Sequence, residues 1–594
     1  MYFYSLLTSL CVRLSTALYQ LREPDLAERI FIGVAWPYAN GPLHLGQIAG
    51  AYLPADIFAR YHRLKGNDVL MVSGTDQHGT PITIRAEQEG LTPQEVVSKY
   101  HAQYLQVWSQ LGISFDKYTT TGTENHKQVV GDLFLSLLDK GLIYPATAEY
   151  AYCANDRRFL PDRYVDGTCP HCAFERARGD QCDSCGRTLD PQDLINWRCH
   201  ICSQTPEMRE SEHFFLRLSA LQEKLHDWAK AVGEGIWRPN VYGFTMNWLK
   251  EGLRDRAITR DVEWGVPLPI PGYETKRIYV WFEAVTGYLS AAVEWASAMG
   301  ESDNWLPFWK NTATKAYYFI GKDNIPFHTI IWPAMLMAYS DSGAALGSGG
   351  LNLPTNVPAN EFLSLEGQKF STSQNWAVWA PDYLERYDPD PLRYYLSANM
   401  PEFSDADFSW REFYRRNNDE LVATYGNLVH RILTLTHRNF GGLVPKAGPI
   451  DDHDGALIQK ANETLADVSN SLKIPKFREA IGKAMALASD ANRYVDMKAP
   501  WKTAKEDRVR TATTLATALY AISALKTVLY PFMPHASERL HRLLGFTDEV
   551  TNGGWSISAP PAGQSLQEPK ALFLKLDESV IEKEAFILES QKTG

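Results

Sequence analysis

Ile30-Phe-Ile-Gly-Val-Ala35 runs directly into Pro37-Tyr-Ala-Asn-Gly-Pro-Leu-His44-Leu-Gly46-Gln47. The first stretch is a short apolar run rich in branched residues, which reads as a buried strand. The second is a tight loop punctuated by proline and glycine, with a helix predicted to start near His44. Asp68-Val-Leu-Met-Val-Ser73 repeats the pattern and ends in Gly74-Thr-Asp-Gln-His-Gly79, and Tyr317-Tyr-Phe-Ile320 ends in Gly321-Lys-Asp-Asn324. Strands alternating with helical stretches predict an α/β fold built on a Rossmann-type parallel sheet. Ligands of such sheets bind beyond the carboxyl ends of the strands, where these polar clusters fall.

Working outward, the 594-residue chain is 45% hydrophobic and 12% aromatic, enough to bury several cores. That length corresponds to about three or four domains. No uninterrupted apolar run reaches the roughly 18 residues of a membrane span, so no membrane partner is expected. The formal net charge of −11 argues against indiscriminate binding of polyanions but leaves room for a local basic face. Residues 1–22 are largely apolar with Arg13 and no carboxylate before Glu23, loosely like a targeting peptide; a plain leader or an upstream start fits better, since the catalytic pattern begins almost at once.

Seven cysteines lie between Cys153 and Cys202. Their CxxC spacing is that of zinc knuckles rather than of a secreted disulfide framework, which predicts a reducing, cytoplasmic location. Cys169, Cys172, Cys182 and Cys185 suit one closed tetrahedral zinc. Cys199 and Cys202 need partners; Cys153 and Asp156 are available, so these four could hold a second, weaker zinc. Three CxxC pairs within a Gly/Pro-rich insertion do not suit redox catalysis.

Two polar segments carry the nucleotide chemistry. A helix N-terminus favours anions through its free N–H groups and macrodipole, so His44 could donate to phosphate while Gly46 lets a base approach the backbone. Glu366-Gly-Gln-Lys369-Phe-Ser371-Thr372-Ser373 offers one cation and three hydroxyls, suited to a mobile loop that stabilises charge on a triphosphate. Alone, each is common.

Together, His44-Leu-Gly-Gln47 and Lys369-Phe-Ser-Thr-Ser373 resemble the HIGH and KMSKS signatures of class I aminoacyl-tRNA synthetases, in the right order. Gln47 replaces a histidine and Thr372 a lysine; the lost charge implies a larger share for Lys369 and Lys322. Ala35, Trp36 and Tyr38, then Asp76 and His78, then Trp281, Ala284, Val285 and Tyr288, with His328, further resemble the methionyl family. The resemblance implies a methionine pocket whose aromatic walls suit a polarizable thioether, with Asp76 on the ammonium. It also implies Gly321 and Asp323 at the ribose, and Ser371, Thr372 and Ser373 with Lys369 at the phosphates.

Beyond Trp410 glycine and proline become sparse, and Leu457, Ala461, Leu465, Val468 and Leu472 recur at helical spacing. Asn427 and Arg431 stand one turn apart, and Pro500-Trp501 sets an indole at a helix entrance. They resemble the family's readers of the CAU anticodon.

The expected division is a leader over 1–27, catalytic halves at 28–144 and 256–358, a zinc-knuckle insertion at 145–255, a loop-bearing linker at 359–410, an all-α anticodon bundle at 411–560 and an extension at 561–594. By resemblance the chain is a ligase that uses Mg²⁺-ATP to join methionine to tRNA(Met), with His44, Gln47, Lys322 and Lys369 as catalytic groups; a monomer is expected. The rival reading is a noncatalytic tRNA-binding paralogue in which Gln47 and Thr372 mark decay.

Overall fold

The computed structural model describes residues 27–179, 182, 184, 189, 191–340, 350–372 and 375–593. The leader (to residue 26), Cys185 and Ser373 therefore lie outside the described residues. Strands β1 (Arg29–Val34), β2 (Asp68–Thr75) and β3 (Lys117–Thr120) form half of the central sheet. A long antiparallel hairpin, β4 (Ile143–Cys153) with β5 (Glu207–Leu216), carries the cysteine-rich segment away from it. The chain returns through β6 (Lys315–Gly321) and β7 (Ala359–Asn360). The sheet order is β7-β6-β1-β2-β3, parallel throughout. Ile32 pairs with Tyr317 on one side and Met71 on the other, so β1 is central and flanked on both edges, as its run of apolar residues requires. The chain order reverses between β1 and β6, which opens a crevice beyond their carboxyl ends.

Helix α1 begins at Leu45–Gln47, passes through a π turn at Ile48–Tyr52 and continues over Leu53–Leu64. A second π turn, Phe327–Ile331, follows β6. Both flank the crevice, where such wide turns are frequent because they re-aim side chains. Helix α2 (Val280–Ala298) packs across β2 and β3.

The lysine-bearing segment from Glu366, read from sequence as a mobile loop, begins as the turn and second strand of a short hairpin, β8 (Leu363–Leu365) with β9 (Gln368–Lys369); β8 also pairs with β10 (Ala406–Phe408). Glu366 and Gly367 turn the hairpin at positive φ. The bundle follows as α3 (Asp452–Lys473), α4 (Phe477–Lys498) and α5 (Arg508–Leu529). Helix α3 buries Leu457, Ala461, Val468 and Leu472, the stripe expected from its periodicity. Helix α5 is long and apolar enough to cross a membrane by length and composition, yet 89% of that stretch is buried within the molecule. A final helix, α6 (Ser579–Thr593), folds back onto the linker.

One buried ion pair ties these parts together. Arg393 donates to Asp56 on α1 at 2.6 Å and to the carbonyls of Pro531 and Phe532 at 2.8 Å. Arg60 and Ser114 complete the shell of Asp56, and despite its burial their charge and hydrogen bonds hold this carboxyl well below the usual range.

Candidate active site

A cavity of about 370 Å³ occupies the crevice at the switch point. Of the residues that carry the resemblance to a methionine pocket, all but His78 line it: Ala35, Trp36, Tyr38, Asp76, Trp281, Ala284, Val285, Tyr288 and His328. So do His44, Gly46, Gln47, Gly321, Asp323 and Lys369. Residues separated by over three hundred positions thus meet because three parallel strands end at one edge.

The amino-acid end is buried and built from rings. The indole of Trp36 slots between two glycines: a Cβ at Gly74 or Gly287 would come within 2.3 or 2.7 Å of it. Its Nε1 is buried without an acceptor among the described residues. Tyr38 meets Trp281 edge-on at 6.2 Å, and Trp281 stacks on Phe327 at 3.9 Å. His328 donates from Nδ1 to the Asn324 carbonyl at 2.9 Å, which leaves Nε2 to accept from the Tyr288 hydroxyl at 2.7 Å. Burial pushes the His328 pKa down to about 4, consistent with this neutral tautomer.

Asp76 is 2% exposed and accepts the His78 N–H at 3.1 Å. Burial, reinforced by the charge of Glu283, pushes its pKa well above the carboxylate range. A buried carboxyl without a cation contact among the described residues is costly to ionise, and a ligand ammonium is the group that would relieve that cost.

Sequence reasoning missed what holds this wall. Glu283 is fully buried and accepts from His78 Nδ1 at 2.7 Å and His126 Nε2 at 2.8 Å, while His126 Nδ1 meets Ser290 Oγ at 2.8 Å. Burial opposes ionisation of Glu283, but the two histidines outweigh it and hold its pKa below the usual value. The signal was present: an acid inside the apolar run Val280–Tyr288 needs buried partners.

The nucleotide end is more open. His44 caps α1, and Gln47 Oε1 accepts the His44 backbone N–H at 3.0 Å, leaving its amide NH₂ as a donor. The His44 ring stacks on Phe370 at 4.9 Å, its Nδ1 buried without a partner among the described residues, and burial pushes its pKa down to about 4. Backbone joins the first signature segment to the chain that follows the second: Leu45 N–H donates to Val378 O at 3.1 Å and Ala380 N–H to Leu43 O at 2.7 Å. Lys369 extends at the rim, 5.1 Å above the Phe362 ring.

Lys322, expected on the phosphates, is placed otherwise. Its ammonium pairs with Glu361 at 2.7 Å and Asp405 at 2.9 Å and does not line the cavity, since two carboxylates beside it compete for the charge. Ser371 and Thr372 also stand outside the lining, at the hairpin end where Ser371 pairs with Trp376.

In the insertion, ligand atoms of Cys153, Asp156, Cys199 and Cys202 converge, as do those of Cys169, Cys172 and Cys182. Cys153 and Cys202 sulfurs lie 3.4 Å apart, Cys172 and Cys182 sulfurs 3.5 Å apart, and Asp156 Oδ2 is 3.2 and 3.1 Å from Cys153 and Cys199. In the bundle, Arg431 pairs with Asp496 at 2.6 Å and lies 5.9 Å from the ring of Trp501, which is 42% exposed; Asn427 is exposed one turn before it.

Two family models match the chain: class I tRNA synthetases (M) over residues 30–433 and the anticodon binding domain of methionyl tRNA ligase over 444–587. A methionine–tRNA ligase of Dehalococcoides mccartyi strain 195 is 58% identical over 559 residues, covering 94% of this chain and 99% of its own. One from Thermomicrobium roseum is 52% identical over 585 residues, covering 94% and 98%. Among solved structures, a Mycobacterium tuberculosis methionyl-tRNA synthetase in complex with methionyl-adenylate matches with a TM-score of 0.75 at 25% identity, covering 92% of this chain and 99% of that one. With both signature segments at one cavity and similarity running from the sheet through the bundle, the chain belongs to the methionyl-tRNA synthetases of class I.

Proposed function

We propose that the cavity performs the two-step methionine–tRNA ligase reaction. The observation that carries this is Asp76, a buried carboxyl among aromatic rings, at the end of a cavity whose other end is formed by both nucleotide segments. Asp76 receives the methionine ammonium, and the rings of Trp281, Tyr38, Tyr288 and His328 enclose the thioether. Alignment leaves the methionine carboxylate free to attack the α-phosphorus of ATP in line, breaking the bond to pyrophosphate; a terminal ribose hydroxyl of tRNA(Met) then takes the acyl group and AMP departs. No protein nucleophile enters either step.

Catalysis by this chain is positioning and charge stabilisation. His44 and the Gln47 amide donate to phosphate oxygens at the start of α1, Gly46 admits the base, and Gly321 with Asp323 holds the ribose. Lys369 closes over the pyrophosphate, with Ser371, Thr372 and Ser373 in the same loop. Lys322 acts through Glu361 unless phosphate draws it away. Mg²⁺ bound with the ATP substrate would neutralise charge on its phosphates.

The two cysteine groups fit structural zinc. A tetrahedral Zn–S bond of about 2.3 Å separates ligand sulfurs by roughly 3.8 Å, close to the spacings in both groups. Cys169, Cys172, Cys182 and Cys185 would hold one ion, and Cys153, Asp156, Cys199 and Cys202 a second. Bound zinc would brace the insertion and supply no chemistry to the cavity. Asn427, Arg431 and Trp501 read the anticodon of tRNA(Met). The enzyme acts as a cytoplasmic monomer.

Attachment of labelled methionine to tRNA(Met) tests the reading. Charging by wild type, lost when CAU is replaced in the tRNA, is the expected result. No charging by folded, zinc-loaded protein that still binds tRNA(Met) would favour the noncatalytic paralogue.

A further inference from the structure

Helix α6 ends against the base of the lysine loop. Asn375 Nδ2 donates to the Gln591 carbonyl at 3.0 Å, and the Lys592 ammonium sits 3.6 Å over the Trp376 ring. Trp376 closes the loop through paired backbone hydrogen bonds with Ser371, 2.9 and 3.0 Å long, and its Nε1 donates to Leu365 O at 3.3 Å. Asn375 turns the chain at φ 50°, a left-handed conformation that asparagine tolerates, and its Oδ1 accepts from Trp379 Nε1 at 3.3 Å. Trp379 in turn bridges to His44. The helix is itself anchored: Glu584, 2% exposed, accepts from Arg386 through both oxygens and from the Tyr387 hydroxyl at 2.7 Å. Asn417 and Asn418 hold the approaching segment at the Leu574 and Leu576 carbonyls.

We infer that Gln591 and Lys592 are positioning residues for the lysine loop: α6 is a latch that fixes the pivot Asn375–Trp376, so that Lys369 closes on the phosphates from a defined hinge. Both residues lie past the segments matched by the family models, which end at 587. The contacts are polar and at the rim, strong enough to bias a hinge and weak enough to release it. Effects on ATP rest on the proposed reaction; effects on loop mobility do not.

The experiment compares wild type, Lys592→Ala, Lys592→Arg and the double variant Lys592→Ala/Asn375→Gly, glycine being chosen to keep the positive φ. Hydrogen exchange of the amides over 366–376 is measured together with methionine-dependent pyrophosphate exchange and thermal unfolding. Lys592→Ala is expected to speed amide exchange in that segment and lower pyrophosphate exchange about two- to fivefold through the ATP KM, the scale of one exposed cation–π contact. The double variant loses more, and Lys592→Arg restores wild-type behaviour. Methionine KM and Tm stay unchanged. Loop amides and ATP KM equal to wild type in the double variant would overturn the latch, as would a loss that tracks Tm or methionine KM. If wild type itself fails to exchange pyrophosphate, the proposed reaction fails while the amide measurement still judges the latch.

Discussion

The two ends of the cavity are built on different principles. At the amino-acid end the contacts that hold the wall are made before any ligand arrives: Tyr288 to His328, His328 to Asn324, and His78 and His126 to Glu283. At the nucleotide end Lys369 is exposed on a hairpin, and His44 keeps a buried nitrogen against Phe370 with no partner among the described residues. The contrast teaches where each property resides. A rigid pocket discriminates through groups it cannot leave unpaired, whereas charge that develops only during bond breaking is better met by a group that arrives late.

The largest effect expected is on Lys369. Lys369→Ala should cut pyrophosphate exchange by about 10²–10³, the scale of one preorganised transition-state donor, while calorimetric methionine affinity stays at the wild-type value. Loss of methionine affinity in that variant would erase the division between the ends. Asp76→Asn is the converse: methionine affinity should fall by about 10- to 100-fold, as for losing a hydrogen bond to a charged group, with unfolding behaviour retained.

The pH profile sharpens the same point. Methionine ammonium binds ionised Asp76, whose pKa in the free enzyme is raised by burial and by Glu283. Affinity should therefore be full above that raised pKa and fall as pH drops through it, starting above the ordinary carboxylate range, and the profile of Asp76→Asn should be flat there. Tyr288→Phe has the smallest predicted effect: removing the donor to His328 Nε2 should raise methionine KM about two- to tenfold and leave ATP KM alone.

The sheet and the cavity lining were legible because both depend on local signals: branched apolar runs ending in Gly-rich polar clusters, at Ala35, at Gly74 and at Gly321. What was not legible depends on side-chain pairing across long separations. Nothing local distinguishes Lys322 from Lys369, and only the fold puts Glu361 and Asp405 beside the first. Glu283 looked like part of an aromatic wall, because its partners lie some 157 and 205 residues away. The return of α6 to Trp376 leaves no trace in periodicity at all.

The most direct test of the prebuilt pocket is amino-acid-dependent exchange of labelled pyrophosphate into ATP by wild type, with methionine, leucine, isoleucine, valine and cysteine compared. Exchange with methionine far above the others is the predicted result. Comparable exchange with a branched amino acid, or none with methionine by folded, zinc-loaded enzyme, would contradict it.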